Sequence, residues 1–276
     1  MARKLFAATA ILLVMLFLLS CRVPWDERAS KAPFGPRDEA MVKRLINLGN
    51  HSFEKTQHEA AVNYYGDAIE LLQGREGSNL INAHYNRGLA HFKKGSYESA
   101  IRDFTRVIQL NPNDSRAYYN RGNALALTNF HKSAIDDYSR AIKLSPEKAY
   151  LYYSRGLTYQ EESATYDRAI ADFTTAVTLN PKDKKSYCFL GITHYKKKNY
   201  RAAQKYFGKA LSIDPAYAEA ITGRGQAYLR SGKTEKALSD FKKACDMGDD
   251  TGCTMLKLLT SKKPDLRAQP KEGGTE

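Results

Sequence analysis

The chain has 276 residues, of which 42% are hydrophobic and 26% are charged. This composition excludes a disordered or collagen-like protein, and four cysteines are too few for a fold that disulfides hold together. Basic residues exceed acidic ones by 13, which favours an anionic partner such as nucleic acid, an acidic polymer or phospholipid head groups without choosing among them.

The first twenty residues have the pattern of a secretory signal. Arg3 and Lys4 precede an apolar run over residues 5–19, which is shorter than the roughly 20 residues that span a membrane. The run ends in the letters LLSC, which resemble the lipobox of bacterial lipoproteins. The resemblance implies a signal peptide over residues 1–20 and acylation of Cys21. The alternatives are an ordinary secretory signal and an uncleaved short anchor.

The residue after the lipobox cysteine bears on whether the protein resides in the inner or the outer membrane. Residue 22 is Arg, where an inner-membrane retention signal of enteric bacteria has Asp. We therefore expect a lipid-anchored protein of the outer membrane that faces the periplasm, with the inner membrane as the alternative. Residues 21–41 are rich in Pro and show no apolar period, which predicts a flexible tether.

The body of the chain repeats with a dominant step of 34 residues. Three kinds of residue mark the period: glycine, alanine and an aromatic residue. They are Gly49, Gly88, Gly122, Gly156, Gly191 and Gly225; Ala61, Ala100, Ala134, Ala169, Ala203 and Ala237; and Tyr65, Phe104, Tyr138, Phe173, Phe207 and Phe241. Such a period indicates stacked units that each bury a face only against their neighbours.

Each unit contains two apolar stripes at helical spacing, separated by a turn. We expect the recurrent glycine to face the alanine of the second helix, so that the two backbones approach closely. The pattern resembles the tetratricopeptide repeat. It implies an all-α, right-handed superhelical solenoid of six helix pairs, over residues 42–80, 81–114, 115–148, 149–183, 184–217 and 218–251, hereafter repeats 1 to 6.

Three repeats depart from the pattern. Repeat 1 carries five extra residues around 74–77, which predicts a loosely docked first unit. Repeat 4 has one extra residue in the turn between its helices. Repeat 6 has Asp249 where the pattern has Pro.

The end of the array, residues 244–253, resembles a segment of Sel-like repeats. In secreted members cysteines at this spacing bridge adjacent helices, so the resemblance implies a disulfide between Cys245 and Cys253; two reduced thiols are the alternative. After the array we expect a capping helix over residues 252–260 and a disordered tail over residues 261–276. Cys188 is left without a partner.

Catalytic and metal-binding patterns are absent from the sequence. The six histidines lack metal-ligand spacing, and the phosphate-loop-like residues 231–234 lack the first glycine of that motif. We therefore expect a protein that is not an enzyme and that has no cofactor or metal.

Arginine and aspartate recur together in four repeats, as Arg87 with Asp103, Arg121 with Asp137, Arg155 with Asp172, and Arg224 with Asp240. Because repeats 1 and 5 lack both residues, we interpret them as ion pairs that join the two helices of a repeat. The alternative is a row of arginines for an acidic ligand.

The resemblance places the inner face of the superhelix on the first helix of each repeat. The polar and aromatic residues expected there suit an extended peptide: Asn47, Asn50, Tyr85, Asn86, Arg116, Tyr119, Asn120, Asn123, Tyr153 and Lys185. Tyr and Asn stand where chaperone-binding members have the Lys and Arg of a carboxylate clamp, which argues against capture of a C-terminal carboxylate. The alternative is that the tyrosines only pack in the core.

Repeat 5 is strongly basic, and its sequence also puts Cys188 and Phe189 on the inner face. The candidate docking site for an acidic partner, phospholipid or cell-wall polymer comprises Lys184, Lys185, Lys196, Lys197, Lys198, Arg201 and Lys205. The alternative is a solvated surface without a ligand.

Together these features predict a membrane-anchored periplasmic scaffold that binds segments of envelope proteins in its groove, in cell-envelope or peptidoglycan-related assembly. One alternative is a module that binds an anionic polymer or membrane surface through repeat 5. Another is a structural subunit of a pilus or outer-membrane assembly complex. Nucleic acid is disfavoured because export removes the protein from it.

Overall fold

The computed structural model describes residues 34–161 and 163–261. These residues form thirteen α-helices and no strand, so the expected all-α solenoid is confirmed. The helices are α1 Pro36–Glu54, α2 His58–Leu71, α3 Ser78–Lys94, α4 Tyr97–Leu110, α5 Ser115–Leu127, α6 His131–Leu144, α7 Ala149–Tyr159, α8 Tyr166–Leu179, α9 Lys184–Lys196, α10 Tyr200–Ile213, α11 Ala218–Arg230, α12 Thr234–Asp246 and α13 Asp250–Ser261. A 3₁₀ turn, Ser163–Thr165, precedes α8.

Helices α1 to α12 form six consecutive pairs, one for each repeat, and every helix packs mainly on its neighbours along the chain. Further contacts join the first helix of one repeat to the first helix of the next, as between α1 and α3, α3 and α5, α5 and α7, and α9 and α11. Because the first helices approach one another in this way, they line a continuous inner face of the solenoid.

The first helix begins earlier than the sequence indicated. The tether was expected to reach residue 41, but α1 starts at Pro36. Proline at the first helical position has a preorganised φ angle, and the Asp38 carboxylate accepts a hydrogen bond of 3.0 Å from the Gly35 N–H. These two features start the helix at Pro36, although no apolar period in the sequence predicts a helix there. The signal sequence, Cys21 and the tail after Ser261 lie outside the described residues.

The recurrent glycines make room for an aromatic ring rather than for the facing alanine that we expected. A Cβ atom added to Gly122 would lie 2.9 Å from Cε1 of Tyr138, and one added to Gly88 would lie 2.9 Å from Cε1 of Phe104. The same approach, at 2.5–2.9 Å, occurs in all six repeats. Each ring therefore sits against the bare backbone of its partner helix, and a larger residue at the glycine would displace the ring.

The insertion in repeat 1 does not loosen that repeat, contrary to expectation. Val42 of α1, Leu72 at the start of the insertion and Leu80 of α3 form one buried cluster across the junction. The extra residues turn at Gly74 and Gly77, which have φ angles of 74° and 138°. The chain thus loops outwards while the helices on both sides remain packed.

All four Arg–Asp pairs form, which confirms their predicted role in joining the helices of a repeat. In each pair two guanidinium N–H groups donate to the two carboxylate oxygens over 2.7–2.9 Å. Arg121 also donates to the hydroxyl of Thr105 and Arg155 to that of Ser139, both in the preceding repeat. The arginines are thus engaged within the scaffold rather than arranged as a free row for an acidic ligand.

The C-terminal end of the array is closed by α13. Cys245 and Cys253 are joined by a disulfide, with their Cα atoms 4.4 Å apart. Asp249 stands before the helix and accepts hydrogen bonds from the Gly252 N–H, at 2.5 Å, and the Thr222 hydroxyl, at 3.1 Å. The residue that departs from the repeat pattern therefore caps the last helix and ties it to α11.

Candidate functional site

The inner face carries a network of amide and phenol groups that links successive repeats. Asn86 donates to the Oδ1 atom of Asn50 over 3.1 Å, and Asn120 donates to the hydroxyl of Tyr85 over 2.9 Å. Within repeats, the hydroxyls of Tyr65 and Tyr138 donate to Asn50 and Asn123 over 2.7 and 2.8 Å. These bonds fix the side chains in place before any ligand arrives.

The central part of the same face is aromatic. Tyr119 contacts Tyr150, with ring centroids 4.8 Å apart, and Tyr153 contacts Phe189 at 5.7 Å. The tyrosines of the row also pack on the aromatic residue of the second helix: Tyr85 on Phe104 at 5.8 Å, Tyr119 on Tyr138 at 6.1 Å and Tyr153 on Phe173 at 5.9 Å. The two alternatives for the tyrosines are therefore compatible, because half-buried rings can pack on the core and still present an edge to the groove.

The phenols of Tyr85 and Tyr153 remain neutral. Burial raises the pKa of Tyr85 and, as the largest cause, raises that of Tyr153 to about 12. Because the Asn120 amide already occupies the Tyr85 oxygen as an acceptor, the Tyr85 O–H is available as a donor. The amide nitrogens of Asn50 and Asn123 are donors as well. Such a row of donors is complementary to the carbonyl oxygens of an extended polypeptide segment.

Three polar residues of the expected site lie at the open surface. Asn47 and Lys185 are exposed, whereas the Arg116 guanidinium bonds to Asp114 and lies 5.0 Å above the Tyr85 ring. The Arg116 side chain nevertheless remains 63% exposed. Charged contacts with a ligand are thus confined to the edges of the amide and phenol network.

Two residues differ from what the sequence indicated. Tyr150 was missed, although it lies in the same row as Arg116 and Lys185 and is 42% exposed. Cys188 was expected on the inner face but is fully buried, because Tyr217 from the following turn packs over its cluster. Burial raises the pKa of the Cys188 thiol to about 12, so the thiol stays protonated.

The basic residues of repeat 5 do not form one patch. Lys184 and Lys185 begin α9, whereas Lys196 ends it, on the order of 18 Å away at 1.5 Å per residue, and Lys197 and Lys198 follow. Lys184 bonds to Asp214 at 2.5 Å and Lys197 to Asp167. Among the basic residues expected at this site, those without an acidic partner in the described chain are Lys185, Lys196, Lys198, Arg201 and Lys205.

The described residues show neither a metal site nor a membrane-spanning helix. No cluster of three or more His, Cys, Asp or Glu within residues 34–161 and 163–261 could hold a metal ion. Over the same ranges, no helix is long and apolar enough to cross a membrane.

Comparison with known proteins agrees with this architecture. Models of the tetratricopeptide repeat match residues 81–114, 131–162, 149–183 and 194–239. The chain carries tetratricopeptide repeats. One curated relative, Hsp70-Hsp90 organizing protein 1 of Glycine max, is 35% identical over 60 residues, which are 22% of this chain. The match spans only 10% of the length of that protein.

Solved tetratricopeptide-repeat structures share the fold. A protein from Parabacteroides merdae aligns with a TM-score of 0.63 at 20% identity, over 80% of this chain and 99% of its own. YrrB, described as having an unusual peptide-binding site, aligns at 0.58 and 24% identity, over 72% and 97%. MamA aligns at 0.56 and 24% identity, over 60% and 96%. At these identities the likeness shows the fold alone.

Proposed function

We propose that the protein is a non-enzymatic scaffold that binds extended segments of partner proteins along its inner face. The preorganised row of amide and phenol donors beside exposed aromatic surface is the observation that carries this proposal. The peptide-binding site described for YrrB and the co-chaperone relative support a role in protein interaction.

The test compares two variants of matched exposure in the full-length protein. Tyr150, 42% exposed, lies in the groove, and Leu179, 41% exposed, ends the second helix of repeat 4. Tyr150→Glu should remove a defined set of co-purifying proteins, whereas Leu179→Glu should leave that set unchanged. One fixed stoichiometric complex that survives Tyr150→Glu would favour the structural-subunit alternative.

The setting of this scaffold is part of the proposal. A lipid anchor at Cys21 would hold the array at the periplasmic side of a bacterial outer membrane, where envelope proteins are the available partners. Cys21→Ser should abolish incorporation of a palmitate analogue and release the protein from membranes. Retention of both label and membrane association in this variant would exclude anchoring at Cys21.

Repeat 5 offers a second candidate function, binding to an anionic polymer or membrane surface. Lys196 and Lys198 lie at the turn of repeat 5, and Gln204 of α10 accepts a hydrogen bond of 2.9 Å from Lys233 in the turn of repeat 6. The adjacent Arg230 bonds to the Tyr195 hydroxyl at 3.4 Å and extends this basic edge. Charge reversal at Lys196 and Lys198 should weaken salt-sensitive binding to purified peptidoglycan or to anionic vesicles. Unchanged binding at low salt would reject this candidate.

A further inference from the structure

A cavity of about 180 Å³ opens on the inner face between repeats 1 and 2. Its lining residues are Asn50, Phe53 and Glu54 of α1, Tyr65 of α2, and Asn86 and Leu89 of α3. It therefore lies at the N-terminal end of the amide and phenol network rather than beside it.

The lining has two chemically different parts. Phe53 and Leu89 supply apolar walls, whereas Glu54 supplies a carboxylate with no ion-pair partner in the described chain. Burial, together with the negative charge of Glu54, raises the pKa of Tyr65 to about 12.

Unpaired acceptors in the lining outnumber unpaired donors, because the Asn50 amide nitrogen is the one such donor among the described lining residues, and this balance favours a donor as the occupant. The Asn50 Oδ1 atom already accepts from Tyr65 and Asn86, so it has no capacity left. The Glu54 carboxylate and the Asn86 Oδ1 atom remain as acceptors without a hydrogen-bond partner among residues 34–161 and 163–261. An occupant with an aliphatic stem and several N–H donors at its tip would satisfy both parts of the lining.

The surrounding charge permits a cation at this end. Residues 36–94, which include the three lining helices, hold seven acidic and eight basic residues and are therefore nearly neutral, although the whole chain carries a net charge of +13. The excess of positive charge therefore lies elsewhere along the array, most of it in repeat 5.

We propose that this cavity is a subsite for a lysine or arginine side chain of the bound segment. The aliphatic stem lies between Phe53 and Leu89, and the cationic group donates to Glu54 and Asn86. This assignment rests on the proposed function, because the groove must hold the segment that carries the side chain. The subsite would add a preference for a positively charged side chain to a network whose other groups bind the peptide backbone.

The experiment titrates the full-length protein in detergent micelles with the tripeptide amide acetyl-Gly-Arg-Gly and with its citrulline analogue, which is a neutral isostere of the arginine peptide. Methyl resonances of Leu89 report occupancy. We expect a saturable chemical-shift change of the Leu89 methyl resonances with the arginine peptide. The dissociation constant should be at least fivefold larger for the citrulline peptide. Glu54→Gln should remove this difference. Glu70→Gln, the same change at an exposed carboxylate of the same repeat outside the cavity, should preserve it.

Absence of a Leu89 shift, equal affinity for the two peptides, or an unchanged preference in Glu54→Gln would overturn the subsite. These outcomes are separable from failure of the scaffold function. Loss of partners in Tyr150→Glu without an arginine preference leaves the scaffold standing and rejects the subsite. An arginine preference in a protein whose partners do not depend on the groove supports cation binding in the cavity and rejects the scaffold function.

Discussion

At the scale of single residues, the contact between a glycine and an aromatic ring sets the spacing of the two helices in every repeat. Gly122 and Gly208 allow this to be tested, because both lie inside helices but only Gly122 faces a ring. A Cβ atom at Gly122 would meet Tyr138 at 2.9 Å, whereas one at Gly208 would meet nothing within 4 Å.

We expect Gly122→Ala to lower the free energy of unfolding by about 1–3 kcal/mol, the usual cost of overpacking. Gly208→Ala should instead raise it by up to about 1 kcal/mol, because alanine is the better helix former. Urea denaturation of both variants measures the two effects. A Gly122→Ala protein as stable as Gly208→Ala would show that the ring contact does not set the helix spacing.

Two half-buried histidines make stability depend on pH. Burial is the main cause that lowers the pKa of His91 and of His194, and His194 stacks on Tyr206 with ring centroids 5.2 Å apart. In the unfolded chain each imidazole has an ordinary pKa of about 6.5. As the pH falls through about 6.5, the unfolded state therefore binds protons that the folded state resists, and the free energy of unfolding decreases.

His194→Phe keeps a stacked ring but removes this proton linkage. We expect its urea midpoint to fall less than that of the wild type between about pH 7.5 and about pH 5. His51→Asn, a change at an exposed position of α1, is the control and should retain the wild-type difference. Equal pH dependence in His194→Phe and wild type would exclude a contribution from His194.

At the scale of helices, the Arg–Asp pairs hold the two helices of repeats 2, 3, 4 and 6 in register. Asp103 illustrates the balance of forces: burial acts to raise its pKa, but hydrogen bonds from His84 and Arg87 outweigh burial and lower it. Arg121 and Asp137 form the corresponding pair in repeat 3, where the carboxylate is 8% exposed.

Asp137→Leu should cost about 3 kcal/mol, because it leaves the Arg121 guanidinium without its partner. Arg121→Leu should cost a similar amount, and the double variant should cost less than the sum of the two. A double-mutant cycle by urea denaturation measures the coupling. A neutral Arg121→Leu beside a costly Asp137→Leu would contradict the pairing.

The last helix depends on its disulfide. The bridge closes a loop with a sequence separation of 8 residues, for which chain entropy gives about 2–3 kcal/mol. Cys245→Ser with Cys253→Ser should therefore accelerate amide exchange in α13, while α1 to α10 keep their protection. Uniform exchange across the array, or no change in α13, would show that the bridge does not hold the cap.

At the scale of the whole molecule, features that recur with the repeat period could be predicted and features that depend on a particular neighbour could not. The Arg–Asp pairs could be predicted because both residues are present together in four repeats and absent together from the other two. The burial of Cys188 was not, because the cluster that encloses it includes Ala220 and Ile221 from the next repeat. Likewise, the start of α1 at Pro36 follows from local capping at Gly35 and Asp38, which leaves no periodic signal.

The candidate site shows the same division. Asn50, Asn86 and Asn120 were identified from their positions in the repeat, but the bonds that connect them across repeats required the structure. The cavity beside Glu54 was not anticipated either, since it arises from three helices of two repeats. Stacking thus creates the surface that the single repeat does not encode.

The proposed function requires that the inner face is the surface that contacts partner proteins. The most direct measurement is in-cell photocrosslinking with a photoreactive phenylalanine at Tyr150 or at Leu179 of the full-length protein. Because the two positions are 42% and 41% exposed, reagent access is matched. We expect discrete protein adducts from position 150 and none from position 179. Adducts from position 179 alone, or the same adducts from both, would contradict binding through the inner face.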